Sequence, residues 1–356
     1  MTLDIVKTLF PGIISFAIGI GFAPILTKYL YTRQMWKKRA GKRALDGHDA
    51  AVFNALHETR EVGTPKMGGA VVVVAASATA LLLWLLPLVV SSELFTKLDF
   101  VSRGQTWLPL AALLLGALVG FADDLLEVQA TRESFSGGLS LRKRLIAVSC
   151  IALFAALWFF IKLEVSTIAL PFLGEVPVGV FFVPLFVLIA LAVYSGGVID
   201  GIDGLAGGVF AVMFGAYSLI AFFQDQLNVA AFCAAVVGGI LAFLWFNIPP
   251  ARFYLSETGT MALTLTLTIV AFMTDALGEG KGVAVLPIIA APLLATTLSN
   301  IAQVVSKKWR GKKLFRVAPL HHHFEALGWP PYKVTMRYWV LSVLFAMVGT
   351  IVALIG

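Results

Sequence analysis

The chain has 356 residues, of which 59% are hydrophobic and only 13% are charged, against about 25% charged in an average soluble protein. Its mean hydropathy is +0.90. This composition excludes a soluble globular enzyme and indicates an integral membrane protein. The formal net charge is +7. The basic residues that cause it are distributed as membrane topology requires, so the charge gives no reason to expect a nucleic acid partner.

Apolar segments long enough to cross a bilayer, which takes about 20 residues, occur along the whole chain. In order, the predicted helices cover residues 10–31, 68–90, 106–122, 145–162, 178–198, 205–223, 229–246, 260–275, 283–305 and 338–355. We therefore expect an all-α integral membrane protein with about ten transmembrane helices. The longest connection, 32–67, is too short for a soluble domain and is expected to be a basic loop with one interfacial helix. Residues 1–356 are thus predicted to form a single membrane domain.

Lysine and arginine indicate the orientation of these helices. Most of the 27 basic residues fall in the segments that follow the first, third, fifth, seventh and ninth predicted helices. Because loops rich in lysine and arginine stay on the cytoplasmic side of a membrane, these five loops are predicted to be cytoplasmic. Both termini are then extracytoplasmic.

The same five loops carry the chemically unusual residues, whereas the loops on the other side hold ordinary connectors. The unusual segments are Gly-Thr-Pro-Lys-Met-Gly-Gly at 63–69, Asp-Asp at 123–124, Asp-Gly-Ile-Asp-Gly at 200–204, the segment 246–260, and Pro-Leu-His-His-His-Phe-Glu at 319–325. We therefore predict one composite site at the cytoplasmic face of the membrane.

The acidic residues of these loops have two interpretations. Asp123 and Asp124 could simply end a helix, but carboxylates at a helix C-terminus oppose its dipole. Adjacent carboxylates repel each other unless a cation lies between them, as Mg²⁺ does in phosphate-transfer sites. Asp200 and Asp203 could cap the following helix, and their glycines could only form turns. Glycine beside aspartate also lets the backbone approach a phosphate closely.

Three consecutive histidines, His321, His322 and His323, are the most unusual feature. A metal-binding tract or an expression tag would explain them, but they lie inside the chain, between Pro319 and Glu325. Titratable imidazoles at a membrane edge suit anion or metal chemistry. Taken with the acidic pairs, they predict a site for a metal–diphosphate substrate. The residues alone leave the reaction open.

On these motifs, the chain resembles the polyprenyl-phosphate N-acetylhexosamine-1-phosphate transferase family over essentially its whole length. The matching motifs are Gly-Thr-Pro-x-Met-Gly-Gly at 63–69, Asp-Asp at 123–124, Asp-Gly-x-Asp-Gly-Leu-Ala at 200–206, Phe-Asn-x-x-Pro-Ala at 246–251, and Phe-Arg-x-Ala-Pro-x-His-His-His-Phe-Glu at 315–325. The histidine motif resembles the branch that uses an N-acetylmuramoyl-pentapeptide substrate, since the N-acetylglucosamine branch spaces its histidines differently.

The resemblance implies a reaction in peptidoglycan synthesis. Phospho-N-acetylmuramoyl-pentapeptide would pass from its UDP derivative to undecaprenyl phosphate, which gives lipid I and UMP. The cofactor implied is Mg²⁺, with Mn²⁺ as a substitute. The location implied is the bacterial cytoplasmic membrane with the active site on its cytoplasmic face, and a homodimer is compatible with the same resemblance.

The resemblance also implies roles for individual residues. Asp123, Asp124 and Glu257 would hold the metal and, with His323, form the catalytic set. The substrate would be bound by Lys66, Arg144, Asp200, Asp203, Asn247, Tyr254, His321 and His322. Of these, Tyr254 would stack on the uracil ring.

Several positions depart from the family pattern. Gly197 replaces an asparagine, Ser256 a glycine, Glu257 an aspartate that ligates magnesium, Thr260 a serine, and Glu127 a lysine that follows the acidic pair. Glutamate still offers oxygen ligands, but its carboxylate is displaced by one methylene. A weakly active or non-catalytic homologue is therefore an alternative hypothesis.

Two rival hypotheses concern the class of protein. A sibling transferase that uses UDP-N-acetylglucosamine is opposed only by the histidine motif. A secondary transporter would place ionisable groups near the bilayer midplane on broken helices. In this chain the carboxylates cluster at the ends of predicted helices, so the sequence disfavours transport.

Overall fold

The computed structural model describes most of the chain. The described residues are 1–38, 62–102, 104–130, 137–277 and 280–356. The interfacial helix predicted within the loop at 32–67 lies largely outside them.

The helices occupy the chain nearly from end to end. They are α1 (Thr2–Thr32), α2 (Ala70–Val89), α3 (Glu93–Leu98), α4 (Trp107–Gln129), α5 (Leu141–Leu157), α6 (Phe182–Ser195), α7 (Leu205–Phe223), α8 (Leu227–Asn247), α9 (Ser256–Ala276), α10 (Gly282–Ile289), α11 (Ala291–Arg310), α12 (Leu320–Ala326) and α13 (Pro331–Ile355). A π-helical turn, Trp158–Lys162, extends α5, and the short 3-10 turns Gly179–Phe181 and Gly196–Ile199 flank α6.

Among the described residues, 9 helices are long and apolar enough to cross a membrane, and α10 with α11 makes a tenth if the bent pair is one span. The predicted all-α, multi-pass class is therefore confirmed. The pair α10–α11 bends by 69°. Its break falls between Pro287 and Pro292, where the missing N–H groups and fixed φ of proline interrupt a continuous helix.

The structure corrects several predicted helix ends, and two of these corrections concern the site. The predicted span 106–122 stops before the acidic pair, but α4 continues to Gln129, so Asp123 and Asp124 lie within its last two turns. Likewise α9 begins at Ser256 and places Glu257 in its first turn. An apolar window detects the hydrocarbon-spanning part of a helix and misses polar turns beyond it.

A short antiparallel hairpin joins α5 to α6 and is the only sheet in the described part of the chain. Its strands are β1 (Thr167–Leu170) and β2 (Gly174–Pro177), with Thr167 opposite Pro177. The sequence pattern does not predict this hairpin, because four-residue strands are too short to show a clear alternation.

Helix α9 is the centre of the bundle, buried along nearly its whole length, and α4 packs closely against it. A methyl group on Gly116 would lie 2.8 Å from the Met261 carbonyl oxygen, and one on Gly120 would lie 2.1 Å from that of Glu257. Small residues one turn apart let two helix backbones approach closely. This approach brings the end of α4 against the beginning of α9.

The two ends of the bundle are distinct. At one end, which we call the site end, the hydroxyl of Tyr31 in the last turn of α1 donates to the Arg252 carbonyl oxygen (3.1 Å) in the α8–α9 loop. At the other, the hairpin end, the Phe172 N–H donates to the Gly356 carbonyl oxygen (3.1 Å). Because α1 runs toward the site end, Met1 and Gly356 both lie at the hairpin end. That this end faces outward stays a prediction.

Candidate active site

Three carboxylates of α4 meet at the site end. Asp123, Asp124 and Glu127 each place one oxygen within 4.8 Å of the other two. The spacing of four residues puts Asp123 and Glu127 on one face of the helix, and both aspartates are completely buried. Clustered carboxylates repel one another unless cations or hydrogen-bond donors face them. This group, which we call the acidic cluster, could hold a metal ion through oxygen ligands.

Asp124 is fixed by the first turn of α9. Its Oδ2 accepts hydrogen bonds from the Ser256 hydroxyl (2.6 Å), the Thr258 hydroxyl (2.6 Å) and the Thr258 N–H (2.9 Å). The N-terminus of a helix also favours a negative charge. Its other oxygen, Oδ1, lies 3.7 Å from the Lys66 ammonium. Asp124 is thus held on one side by donors and faces a cation on the other.

Ser256 connects three segments of the site. Its hydroxyl accepts from the Met67 N–H (2.8 Å) while it donates to Asp124, and its own N–H donates to Asp200 Oδ2 (2.8 Å). Its φ of 53° lies in the left-handed region that favours glycine. The hydrogen bonds of the hydroxyl give a physical reason for serine at a position where the family pattern has glycine.

Arg144 joins two carboxylates from different helices. Its guanidinium lies 3.0 Å from Asp123 Oδ2 and 2.7 Å from Glu257 Oε1, and its Nε donates to the Leu139 carbonyl oxygen (3.1 Å). The other oxygen of Glu257 accepts from the Thr260 hydroxyl (3.3 Å). A planar guanidinium suits such bridging better than an ammonium. Glu257 is therefore tied to α4 through Arg144.

Lys66 supplies the second cation. Its ammonium donates a hydrogen bond to Glu127 Oε2 and lies 3.7 Å from Asp124 Oδ1. Burial by itself would lower the pKa of Lys66, but the carboxylates of Glu127 and Asp124 raise it above its usual value. The ammonium of Lys37 lies 3.6 Å from Glu127 Oε1. Glu127 is thus flanked by two lysines.

Two histidines lie against the loop that precedes α7. A methyl group on Gly201 would lie 2.6 Å from Nε2 of His321 and 2.7 Å from Nε2 of His322. Nδ1 of His322 is 2.7 Å from Glu325 Oε2, which fixes that ring. Because Asp200 contacts Ser256, a continuous series of contacts links these histidines to the acidic cluster.

These site segments match known proteins. Residues 106–275 match the family model described as glycosyl transferase family 4. The phospho-N-acetylmuramoyl-pentapeptide-transferase of Geobacillus sp. (strain WCH70) is 32% identical over 341 residues, covering 95% of each chain. The protein of the same name from Anoxybacillus flavithermus is 32% identical over 344 residues, 96% of each chain. That from Chloroflexus aurantiacus is 34% identical over 309 residues, 83% of this chain and 78% of its own.

The chain belongs to the phospho-N-acetylmuramoyl-pentapeptide-transferase family. The resemblance drawn from the motifs is confirmed, and with it the class of the protein, a multi-pass membrane enzyme that transfers a phosphosugar.

Glu127 is the residue that sequence reasoning missed. The acidic cluster contains Glu127, whereas the predicted metal set was Asp123, Asp124 and Glu257. In the sequence, Glu127 stands out only as a replacement for the lysine of the family pattern. Its position four residues after Asp123, on the same helix face, was the available signal. Glu257 stays a predicted ligand, placed across the Arg144 guanidinium from Asp123.

Two departures from the family pattern face each other. A methyl group on Gly197 would lie 3.3 Å from Cβ of Thr260, a residue that replaces the serine of the family pattern. An asparagine at 197 would therefore crowd Thr260. Glycine at 197 is matched to the larger side chain at 260.

Asp203 and Asn247 hold the loops together. Asp203 Oδ2 accepts from the Ala251 N–H (3.1 Å), and Gly204 precedes α7 without a side-chain cap. The interpretation of Asp203 as the cap of this helix is therefore wrong. The Asn247 side chain accepts from the Gly204 N–H (2.8 Å) and donates to the Phe253 carbonyl oxygen (2.8 Å), so both ends of its amide are used inside the protein.

Tyr254 and His323 occupy separate positions in the site. Tyr254 is half-buried, and its backbone pairs with Pro65 and Gly68 (2.9 and 2.8 Å).

Nδ1 of His323 accepts from the Arg316 N–H (3.2 Å). Burial and the Arg316 charge lower the pKa of His323. The structure therefore groups His323 with the basic segment after α11 and not with the two histidines at Gly201.

Proposed function

We propose that this enzyme transfers phospho-N-acetylmuramoyl-pentapeptide from UDP-N-acetylmuramoyl-pentapeptide to undecaprenyl phosphate. The products would be lipid I and UMP, formed at the cytoplasmic face of the bacterial inner membrane. The observation that carries the proposal is the convergence of the acidic cluster, Lys66 and Arg144 with the histidines at Gly201. Phosphoryl transfer depends on such positioning and charge more than on covalent help. The homodimer remains a prediction.

The donor set fits Mg²⁺, with Mn²⁺ as a substitute. Asp123, Asp124 and Glu127 offer carboxylate oxygens within reach of one another, and hard cations prefer oxygen ligands. Glu257 would complete or orient this set from α9. When bound, the metal would neutralise the charge of the diphosphate and of the departing UMP.

Lys66 and Arg144 would contact the phosphates. The phosphate of undecaprenyl phosphate is largely ionised near pH 7, since the second pKa of a phosphate monoester is about 6. Its oxygen would attack the sugar-linked phosphorus, and the bond from that phosphorus to the bridging oxygen of UMP would break. No strong general base is needed for this step.

The two buried aspartates are better placed to hold a metal ion than to attack phosphorus as nucleophiles. Asp124 Oδ2 already accepts three hydrogen bonds. Asp123 accepts one from the Leu139 N–H and faces Arg144. A route through a covalent aspartyl phosphate would require one of these carboxylates to leave its donors. These contacts favour direct transfer in one step.

The remaining predicted residues would bind the nucleotide and sugar. Tyr254 would stack on uracil beside the loops that Asp203 and Asn247 hold in place. His321 and His322, against Gly201, would contact the diphosphate or sugar, and Asp200 would orient that loop through Ser256. His323 would act from the edge of the site.

A reconstituted assay tests this function against its rivals. Purified protein, Mg²⁺ and undecaprenyl phosphate are mixed with UDP-N-acetylmuramoyl-pentapeptide or with UDP-N-acetylglucosamine, and UMP release is measured. We expect UMP only with the first. UMP with the second alone would identify the sibling transferase, and no UMP with either would support a non-catalytic homologue.

A further inference from the structure

Glu127 has two competing uses, as a partner of Lys66 and as a member of the acidic cluster. We propose that a divalent cation and Lys66 compete for Glu127, so that metal binding releases the Lys66 ammonium toward the substrate phosphates. This inference rests on the proposed function, because it requires both a metal and a phosphate substrate at this site.

The contacts of Lys66 are those of an exchangeable cation. Among the described residues, its ammonium contacts Glu127 and Asp124, and both carboxylates belong to the acidic cluster. A metal that binds these oxygens therefore takes the partners of the ammonium. The two cations also repel each other, since charges in a partly buried site are weakly screened.

Lys66 can move its charge without moving its backbone. The Lys66 N–H donates to the Met35 carbonyl oxygen (2.8 Å), and the next N–H, of Met67, donates to the Ser256 hydroxyl (2.8 Å). The backbone is thus fixed while the side chain is 17% exposed. A lysine carries a compact charge on a flexible stem of four carbons, so rotation of the side chain is sufficient.

Arg144 shows the contrasting arrangement. It is held by Asp123, by Glu257 and by the Leu139 carbonyl oxygen, and of its carboxylate partners only Asp123 belongs to the acidic cluster. Even where Glu257 joins the metal ligands, the Leu139 carbonyl oxygen still anchors Arg144, whereas both carboxylate partners of Lys66 belong to the acidic cluster. Of the two cations, Lys66 is the one that metal binding displaces.

Metal binding to the substrate-free protein tests this inference directly. Mn²⁺ affinity is measured by electron paramagnetic resonance for the wild type, Lys66→Met, Glu127→Gln and the double variant. Removal of the competitor should tighten Mn²⁺ binding about five- to tenfold, a typical coupling between two ligands of one site. Glu127→Gln should weaken Mn²⁺ binding. In the Glu127→Gln background, Lys66→Met should have little effect, because the shared carboxylate is gone.

Lys37→Met is the matched control, since Lys37 lies 3.6 Å from the other oxygen of Glu127 but forms no ion pair with Asp124 in the described part of the chain. Equal tightening by Lys37→Met, tightening that persists without Glu127, or no tightening by Lys66→Met would each overturn the inference. Any of these in a wild type that binds Mn²⁺ and releases UMP leaves the proposed function intact. A wild type that neither binds Mn²⁺ nor releases UMP removes both proposals.

Discussion

The two ends of the bundle hold buried carboxylates in different ways. At the hairpin end, Asp275 is 5% exposed and accepts hydrogen bonds from the backbone N–H groups of Ala169 (3.2 Å) and Val283 (3.3 Å). At the site end, Asp123 and Glu257 face a guanidinium, Glu127 faces an ammonium, and side-chain hydroxyls contribute to the binding of Asp124.

The type of partner distinguishes a carboxylate with a structural role from one with a functional role. Backbone N–H groups cannot leave Asp275 without moving β1 or the start of α10, so this carboxylate fixes the hairpin against the bundle. At the site end the aspartates also accept from the backbone N–H groups of Leu139 and Thr258, but their other partners are side-chain cations and hydroxyls, which can rotate away when a ligand arrives. A buried acid with exchangeable partners is therefore the better candidate for chemistry.

The largest expected effect is that of Asp124→Asn. The substitution keeps the shape of the side chain but removes the charge that faces Lys66 and the proposed metal. Turnover should fall about a hundredfold to a thousandfold, the usual loss when one preorganised electrostatic contact is removed from an active site. UMP release at saturating Mg²⁺ measures this, with circular dichroism as the check on folding. Unchanged turnover would remove Asp124 from the site.

Arg144→Lys should have the next largest effect. An ammonium cannot reach Asp123 and Glu257 together as the guanidinium does (3.0 and 2.7 Å). Because Arg144 orients both carboxylates, we expect turnover to fall about tenfold to a hundredfold, the range found for residues that orient metal ligands. The same UMP assay applies. Wild-type turnover in this variant would show that the bridge is dispensable.

Glu257→Asp should have a smaller effect, and its sign is informative. The shorter side chain restores the residue of the family pattern but draws the carboxylate away from Arg144 and Thr260. We expect turnover to stay equal or to fall by less than it does in Arg144→Lys, because only one of the two bridged carboxylates loses its position. Parallel titrations with Mg²⁺ and Mn²⁺ measure it. Higher Mg²⁺-dependent turnover would show that Glu257 only weakens the site.

Asp275→Ala should leave the turnover of folded protein unchanged and lower stability alone. Two buried N–H groups, of Ala169 and Val283, would lose their acceptor, at about 1–3 kcal/mol each. Thermal unfolding in detergent should show the loss, while UMP release per folded molecule serves as the internal control. A large fall in turnover would mean that the two ends of the bundle are coupled.

Much of this architecture could be predicted from the sequence, because each apolar segment that is long enough to cross a bilayer marks a transmembrane helix. The apolar segments do not include the polar turns at the end of α4 and the start of α9, so the helical positions of Asp123 and Glu257 were not predicted. The loop motifs identified the segments that meet at the site end. They did not identify the pairing of Lys66 with Glu127, since contacts between distant segments leave no local pattern.

The histidine motif shows the same limit. His321, His322 and His323 were predicted to act together on the substrate, and their roles remain predictions. They lie on a helix, where successive side chains point about 100° apart, and so three neighbours cannot share one direction. Two of them face Gly201 and the third accepts from Arg316. The sequence order alone does not reveal this division.

The contact between Lys66 and Glu127 also has an evolutionary consequence. Glutamate at 127 without a lysine at 66 would leave a clustered carboxylate with one fewer cation. Lysine at 66 beside the lysine that the family pattern has at 127 would place two ammonium groups together. Each single replacement passes through a poorly balanced site. In descendants of a common ancestor, the two positions should therefore have changed together, and their joint inheritance would mark a separate lineage within the family.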